Sequence, residues 1–126
     1  VLAFMGDAVF NLFIRERLVI KEKGTSHKLH VLSTEYVKAA SQSKISKVLM
    51  DTFTEEETYI FRRGRNTKST TIPKNAEVQD YKYATGFEAL LGYLYLTKQT
   101  ERLYKLMEQA ADIIEAPGME KKNEKE

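Results

Sequence analysis

Apolar residues recur along this chain three to four apart, and in two stretches they leave almost no polar face. In residues 84–96, read as a helix at about 100° per residue, Phe87, Leu90, Leu91 and Leu94 cover one side and Ala89, Tyr93 and Leu96 another. In residues 1–14 the same spacing puts Val1, Met5, Ala8, Val9 and Leu12 on one side and Ala3, Phe10 and Ile14 on the other. A helix apolar on both sides needs cover on both, so one side of the first helix is expected to face its own core and the other a second subunit.

The remaining elements follow from caps and breakers. The first helix is expected to run to about Ile20, past Arg15, Glu16 and Arg17, and to end at Lys23 and Gly24. Thr25 or Ser26 suits the cap of a short helix through His27 to Leu32. Ser33 or Thr34 then caps another that carries Tyr36, Val37, Ala40, Ile45, Val48 and Leu49. Thr54 followed by Glu55, Glu56 and Glu57 reads as a capping box, with acids where the helix dipole favours them. Its helix carries Tyr59, Ile60 and Phe61, and Pro73 marks non-helical chain beyond it. A helix from about Val78 holds the second apolar stretch. A last one after Thr100 presents Leu103, Leu106, Met107, Ala110, Ile113 and Ile114 at helical spacing. Pro117 and Gly118 stop it, and residues 119–126, mostly Lys and Glu, are expected to be disordered. With no internal repeat and no alternating pattern to outweigh the helices, the expected fold is all-α: a single domain over residues 1–116 and a charged tail over 117–126.

Composition narrows the class. A chain of 126 residues, 42% hydrophobic and 30% charged, suits one globular domain, and no apolar run approaches the roughly 20 residues of a membrane helix. The lack of cysteine excludes disulfides and thiolate metal sites, which fits a cytosolic protein. A net charge of +2 says little about partners, but its distribution says more. Arg62, Arg63, Arg65, Lys68 and Lys74 follow one another with no acid between them, interleaved with Gly, Asn, Ser and Thr. Such a stretch reads as a loop whose cations and hydroxyl or amide donors suit a phosphate backbone. By itself it is more simply a solvated surface loop; just before the Glu88 helix, the binding role is favoured.

The candidate chemistry lies in the two apolar stretches, each of which holds one carboxylate. Glu88 in its helix is expected to be largely buried, and an ionised carboxylate taken out of water needs a cation, a metal or several donors beside it. Asp7 stands among the apolar residues of the first helix. Singly, each has an ordinary explanation as an ion pair or a cap. Jointly, both are explained by convergence on a divalent cation, which takes oxygen ligands and offsets both desolvation costs. His27 and His30, three apart, suit surface or capping roles. Tyr81, Tyr83, Tyr93 and Tyr95 suit core or interface, and Asp80 the positive end of its helix.

These residues also carry a resemblance. Met5, Gly6, Asp7, Ala8 and Val9 resemble the core of the ribonuclease III signature, and Phe87, Glu88, Ala89, Leu90, Leu91 and Gly92 that family's second catalytic motif. Between them Leu29 and His30, the Ala39, Ala40, Ser41, Gln42 segment, and the run Arg63, Gly64, Arg65, Asn66, Thr67, Lys68, Ser69 are similar to the small bacterial variant, mini-ribonuclease III. The resemblance covers most of residues 1–115. It implies an all-helical homodimeric endonuclease of the bacterial cytoplasm that hydrolyses double-stranded RNA with magnesium, or manganese in its place. The implied substrate is precursor ribosomal RNA, with no role for DNA or membrane. It makes Asp7 and Glu88 the catalytic and metal-binding acids, and Arg63, Arg65, Asn66 and Lys68 are expected to position the RNA backbone. Longer members have two further acids, where this chain has Ala3 and Thr85; the small variant shares that loss. Two other classes stay open on the residues alone: a non-catalytic dimer that binds RNA or a ribosome assembly intermediate, and a plain protein-interaction domain.

Overall fold

The computed structural model describes residues 1–21, 24–67 and 77–116. Among them are the helices α1 (Leu2–Lys21), α2 (Ser26–Val37), α3 (Ala39–Leu49), α4 (Glu55–Arg65), α5 (Val78–Leu96) and α6 (Thr100–Glu115), a 3-10 turn over Met50–Thr52, and no strand. The all-α expectation holds. α5 is the hub: α1, α3 and α4 pack around it, α6 closes the α3 side, and α2 lies against α1. This is why α5 has no polar face of its own. Phe87, Leu90, Leu91 and Leu94 are fully buried against Phe10, Ile14, Ile45, Phe61 and Leu106. Removing each such side chain from water contributes about 1.5–3 kcal/mol.

Two helices approach α5 closely, and glycine permits both. A Cβ on Gly6 would run into the Glu88 carbonyl oxygen, and one on Gly92 into the Leu2 carbonyl oxygen, so α1 and α5 touch backbone to backbone. On the other flank a Cβ on Gly64 would meet the Ala89 Cβ at 2.6 Å, and one on Gly86 the Phe61 carbonyl oxygen at 2.8 Å.

The capping box forms as read: Thr54 Oγ1 accepts from the Glu57 N–H at 3.1 Å and Glu57 Oε1 from the Thr54 N–H at 3.0 Å. Thr25 caps α2 by accepting from the Lys28 N–H. The next boundary differs from expectation. α2 does not stop at Leu32, and neither Ser33 nor Thr34 caps a helix; their hydroxyls donate back to the His30 and Val31 carbonyls inside α2. The break falls at Lys38, whose backbone is extended. It is held there by α3, since Ser41 Oγ donates to the Glu35 carbonyl and Gln42 Nε2 to the Val37 carbonyl, taking up acceptors that the end of α2 leaves free. The expected break at Lys23, the loop around Pro73 and the 117–126 tail fall outside the described residues.

Candidate active site

The backbone contact at Gly6 decides where the two isolated acids go. Gly6 presses α1 onto α5 at the Glu88 carbonyl, and Asp7 is the next residue. Its carboxyl comes within hydrogen-bonding reach of the Glu88 side chain. The two carboxyls therefore meet, as expected, but at a helix crossing that opens to solvent. Asp7 is exposed, and Glu88 is largely buried, as expected of it. The tightness of the crossing keeps the acids together while leaving them reachable.

Each acid is held by an amide that sequence reasoning passed over. Asn11, one turn on from Asp7, donates through Nδ2 to the Asp7 carbonyl at 2.8 Å and to Asp7 Oδ1 at 3.2 Å. Gln42 donates through Nε2 to Glu88 Oε2 at 3.1 Å. The i, i+4 spacing of Asp7 and Asn11 could have revealed the first. Nothing local reveals the second, because α3 meets α5 only in the folded chain.

Burial pushes the Glu88 carboxyl up to about 8, and Asp7 adds to the rise through a shared hydrogen bond and like charge, while the Gln42 donor opposes it. Two carboxyls so close hold a proton between them unless a cation takes its place. The Gln42 Oε1 is buried with no hydrogen-bond partner among the described residues. The donor set thus fits a hard divalent ion with an incomplete protein shell, the rest of which magnesium fills with water or phosphate oxygen. Among the described residues no third His, Cys, Asp or Glu joins the pair. Thr85, at the position of a further acid in longer enzymes, donates its hydroxyl to the Tyr81 carbonyl of its own helix at 2.9 Å.

Thr85 and Ala3 instead border a hollow of about 960 Å³ that Tyr59, Arg62, Arg63 and Asn66 also line. Neither Asp7 nor Glu88 lines it. Here a second expectation is corrected. Arg62, Arg63 and Arg65 are not in a loop but in the last turn of α4, and Asn66 is its C-cap. Arginine is a good helix former, and the turn is fastened by side chains. Gly64 seats it on α5; the Arg65 guanidinium lies 5.8 Å from the Phe61 ring and 5.6 Å from the Tyr83 ring. Arg63 donates to the Tyr59 hydroxyl at 3.0 Å and lies over its ring. Lys47 of α3 covers Tyr83 as well, at 5.1 Å, an addition that the basic run did not suggest. Lys68 lies outside the described residues.

The family model described as the ribonuclease III domain matches residues 1–99. A mini-ribonuclease 3 of Thermoanaerobacter sp. (strain X514) is 51% identical over 91% of this chain and 81% of its own length. That of Staphylococcus aureus is 44% identical over 90% of this chain and 86% of its own. A solved crystal structure of a Fusobacterium nucleatum protein, 34% identical, superposes with a TM-score of 0.78 over 85% of both chains.

Proposed function

The chain belongs to the ribonuclease III family and is an endoribonuclease of double-stranded RNA, dependent like that family on a divalent metal, and we propose that Asp7 and Glu88 are its catalytic, metal-binding acids. The observation that carries the proposal is the meeting of these two carboxyls across the Gly6 crossing. Magnesium is the proposed ion, with manganese able to replace it; bound there, it supplies a water of lowered pKa and neutralises charge on the scissile phosphate. The residues of the chain do the rest. Asp7, oriented by Asn11, and Glu88, oriented by Gln42, present oxygens from two different helices. Arg63, Arg65 and Asn66 at the end of α4, with Lys68 just beyond, hold the RNA backbone in register with them. A duplex is recognised mainly through shape, phosphates and 2′-hydroxyls, for which a basic groove suffices.

We further propose that the enzyme is a homodimer acting on precursor ribosomal RNA in the bacterial cytoplasm. Phe4 is 83% and Leu12 70% exposed on α1, an apolar outer face that a second copy would cover. No helix among the described residues is long and apolar enough to cross a membrane.

The test is long double-stranded RNA incubated with the protein and magnesium, with excess chelator, or with the Glu88→Gln variant. Cleavage is expected only in the first, while the variant still retards the duplex in a gel. Cleavage by Glu88→Gln would sink the assignment. Binding without cleavage under every metal condition would favour a non-catalytic RNA-binding module instead.

A further inference from the structure

Glu88 carries a long side chain, and holding it toward Asp7 costs rotamer freedom unless a neighbour restrains it. Gln42 is that neighbour. It is 2% exposed, and its Nε2 gives one hydrogen to the Val37 carbonyl at 2.8 Å and the other to Glu88 Oε2 at 3.1 Å. Both acceptors lack hydrogens of their own when Glu88 is ionised, so the amide has one workable orientation; turned over, its oxygen would face two oxygens. Val37 is the last residue of α2, and its carbonyl is fixed backbone at the Lys38 break. The restraint therefore runs from a rigid helix end, through Gln42, to the carboxylate. Ser41 secures the same helix end through the Glu35 carbonyl, and no bond of its side chain to Glu88 is found.

We infer that Gln42 is a positioning residue of the nuclease: anchored on the Val37 carbonyl, its amide holds the Glu88 carboxylate in the arrangement that, with Asp7, binds the metal ion. The inference rests on the assignment of Asp7 and Glu88 as the metal-binding acids. Partners of this kind, one step behind a metal ligand, typically set affinity or rate by 10- to 100-fold.

Gln42→Met keeps the length and volume of the side chain and removes the donor. In this variant kcat is expected to fall by about 10- to 100-fold, with KM for duplex RNA unchanged. The affinity of the RNA-free protein for Mn2+, read from the electron paramagnetic resonance of the free ion, should fall in parallel. Thr25→Ala, which removes the cap at the opposite end of α2 and touches neither Val37, Gln42 nor Glu88, should lower the melting temperature and leave kcat and Mn2+ affinity where they were. If Gln42→Met cleaves RNA and binds Mn2+ as the wild type does while Glu88→Gln does neither, the Gln42 role is overturned and the acid pair stands. If Thr25→Ala loses both properties as well, the effect is one of general packing and the role is overturned too. If Glu88→Gln keeps both, the acid pair itself is misassigned and Gln42 falls with it. Should Gln42→Met not fold, Gln42→Asn, with the amide one methylene short, is expected to show the same paired losses in smaller measure; wild-type values there would overturn the role.

Discussion

Arg65 is a half-buried cation whose guanidinium lies against the rings of both Phe61 and Tyr83, with Nε donating to Asn66 Oδ1 at 3.2 Å. Stacking of this kind fixes the planar group before RNA arrives, so less side-chain entropy is lost on contact. Arg65→Ala should weaken duplex binding and reduce the slope of log K against log salt by about one. An unchanged slope, measured by filter binding across a salt series, would remove Arg65 from the interface. The type of residue was legible in the sequence, since a run of arginines without acids announces itself. Its setting was not. The ring of Tyr83 comes from α5, 18 positions later in the chain, and no local pattern reports it.

At the scale of elements, the α1–α5 crossing governs the site. Gly6→Ala would drive a methyl into the Glu88 carbonyl oxygen, forcing the helices apart at the point where the two acids meet. Destabilisation of about 3 kcal/mol is expected, as for overpacked cores, together with loss of cleavage in whatever fraction remains folded. Gly24→Ala is the control. There the nearest atom is the Lys28 Cδ, the movable part of a long side chain, so the melting temperature should barely change. Equal melting temperatures for Gly6→Ala and wild type would refute the backbone contact.

The link between α4 and α6 makes a different prediction. Glu57 has a side chain only 5% exposed; Arg102 donates to both its oxygens, at 2.8 and 2.9 Å, and to the Thr52 carbonyl at 3.0 Å. Burial alone raises the Glu57 carboxyl, but the Arg102 and Thr54 hydrogen bonds outweigh it and hold the group below the ordinary carboxylate value. A carboxylate lowered in the folded state stabilises at any pH above its unfolded value, and that stability is lost as pH falls through the lowered one. Arg102→Ala strands the buried charge and should cost about 3 kcal/mol near neutrality. The gap between variant and wild type in denaturant midpoint should narrow as the pH drops below the normal carboxylate range. A gap constant down to strongly acid solution would show that Arg102 acts by packing alone.

For the molecule as a whole, the outer face of α1 is the feature that a single copy does not explain. Phe4→Glu is expected to shift the sedimentation coefficient from dimer to monomer and to lower cleavage, because a charge placed there opposes burial against a second copy. A dimer that persists would move the interface off this face. The rise and fall of apolarity along the chain made the six helices legible, since a period near 3.6 is a local property of neighbouring residues. The capping box at Thr54 was legible for the same reason, and the cap of α2 to within Thr25 or Ser26. The α2–α3 break was not: Ser33 and Thr34 look like caps, yet the chain bends where Ser41 and Gln42 can reach back to the end of α2.

By itself, then, the sequence determined the all-α class, the helix periods, and the two acids stranded in apolar surroundings, because each of these is written in residue types at short spacing. Tertiary structure decided how Asp7 and Glu88 meet, at a crossing of α1 and α5, that α4 carries the arginines on a helix rather than a loop, and that Gln42 of α3 reaches Glu88. The physical reason is that glycine at position 6 permits a crossing without requiring one. The backbone contact it allows is made only when Phe10, Ile14, Phe87 and Leu91 are buried together, and that burial belongs to the whole fold.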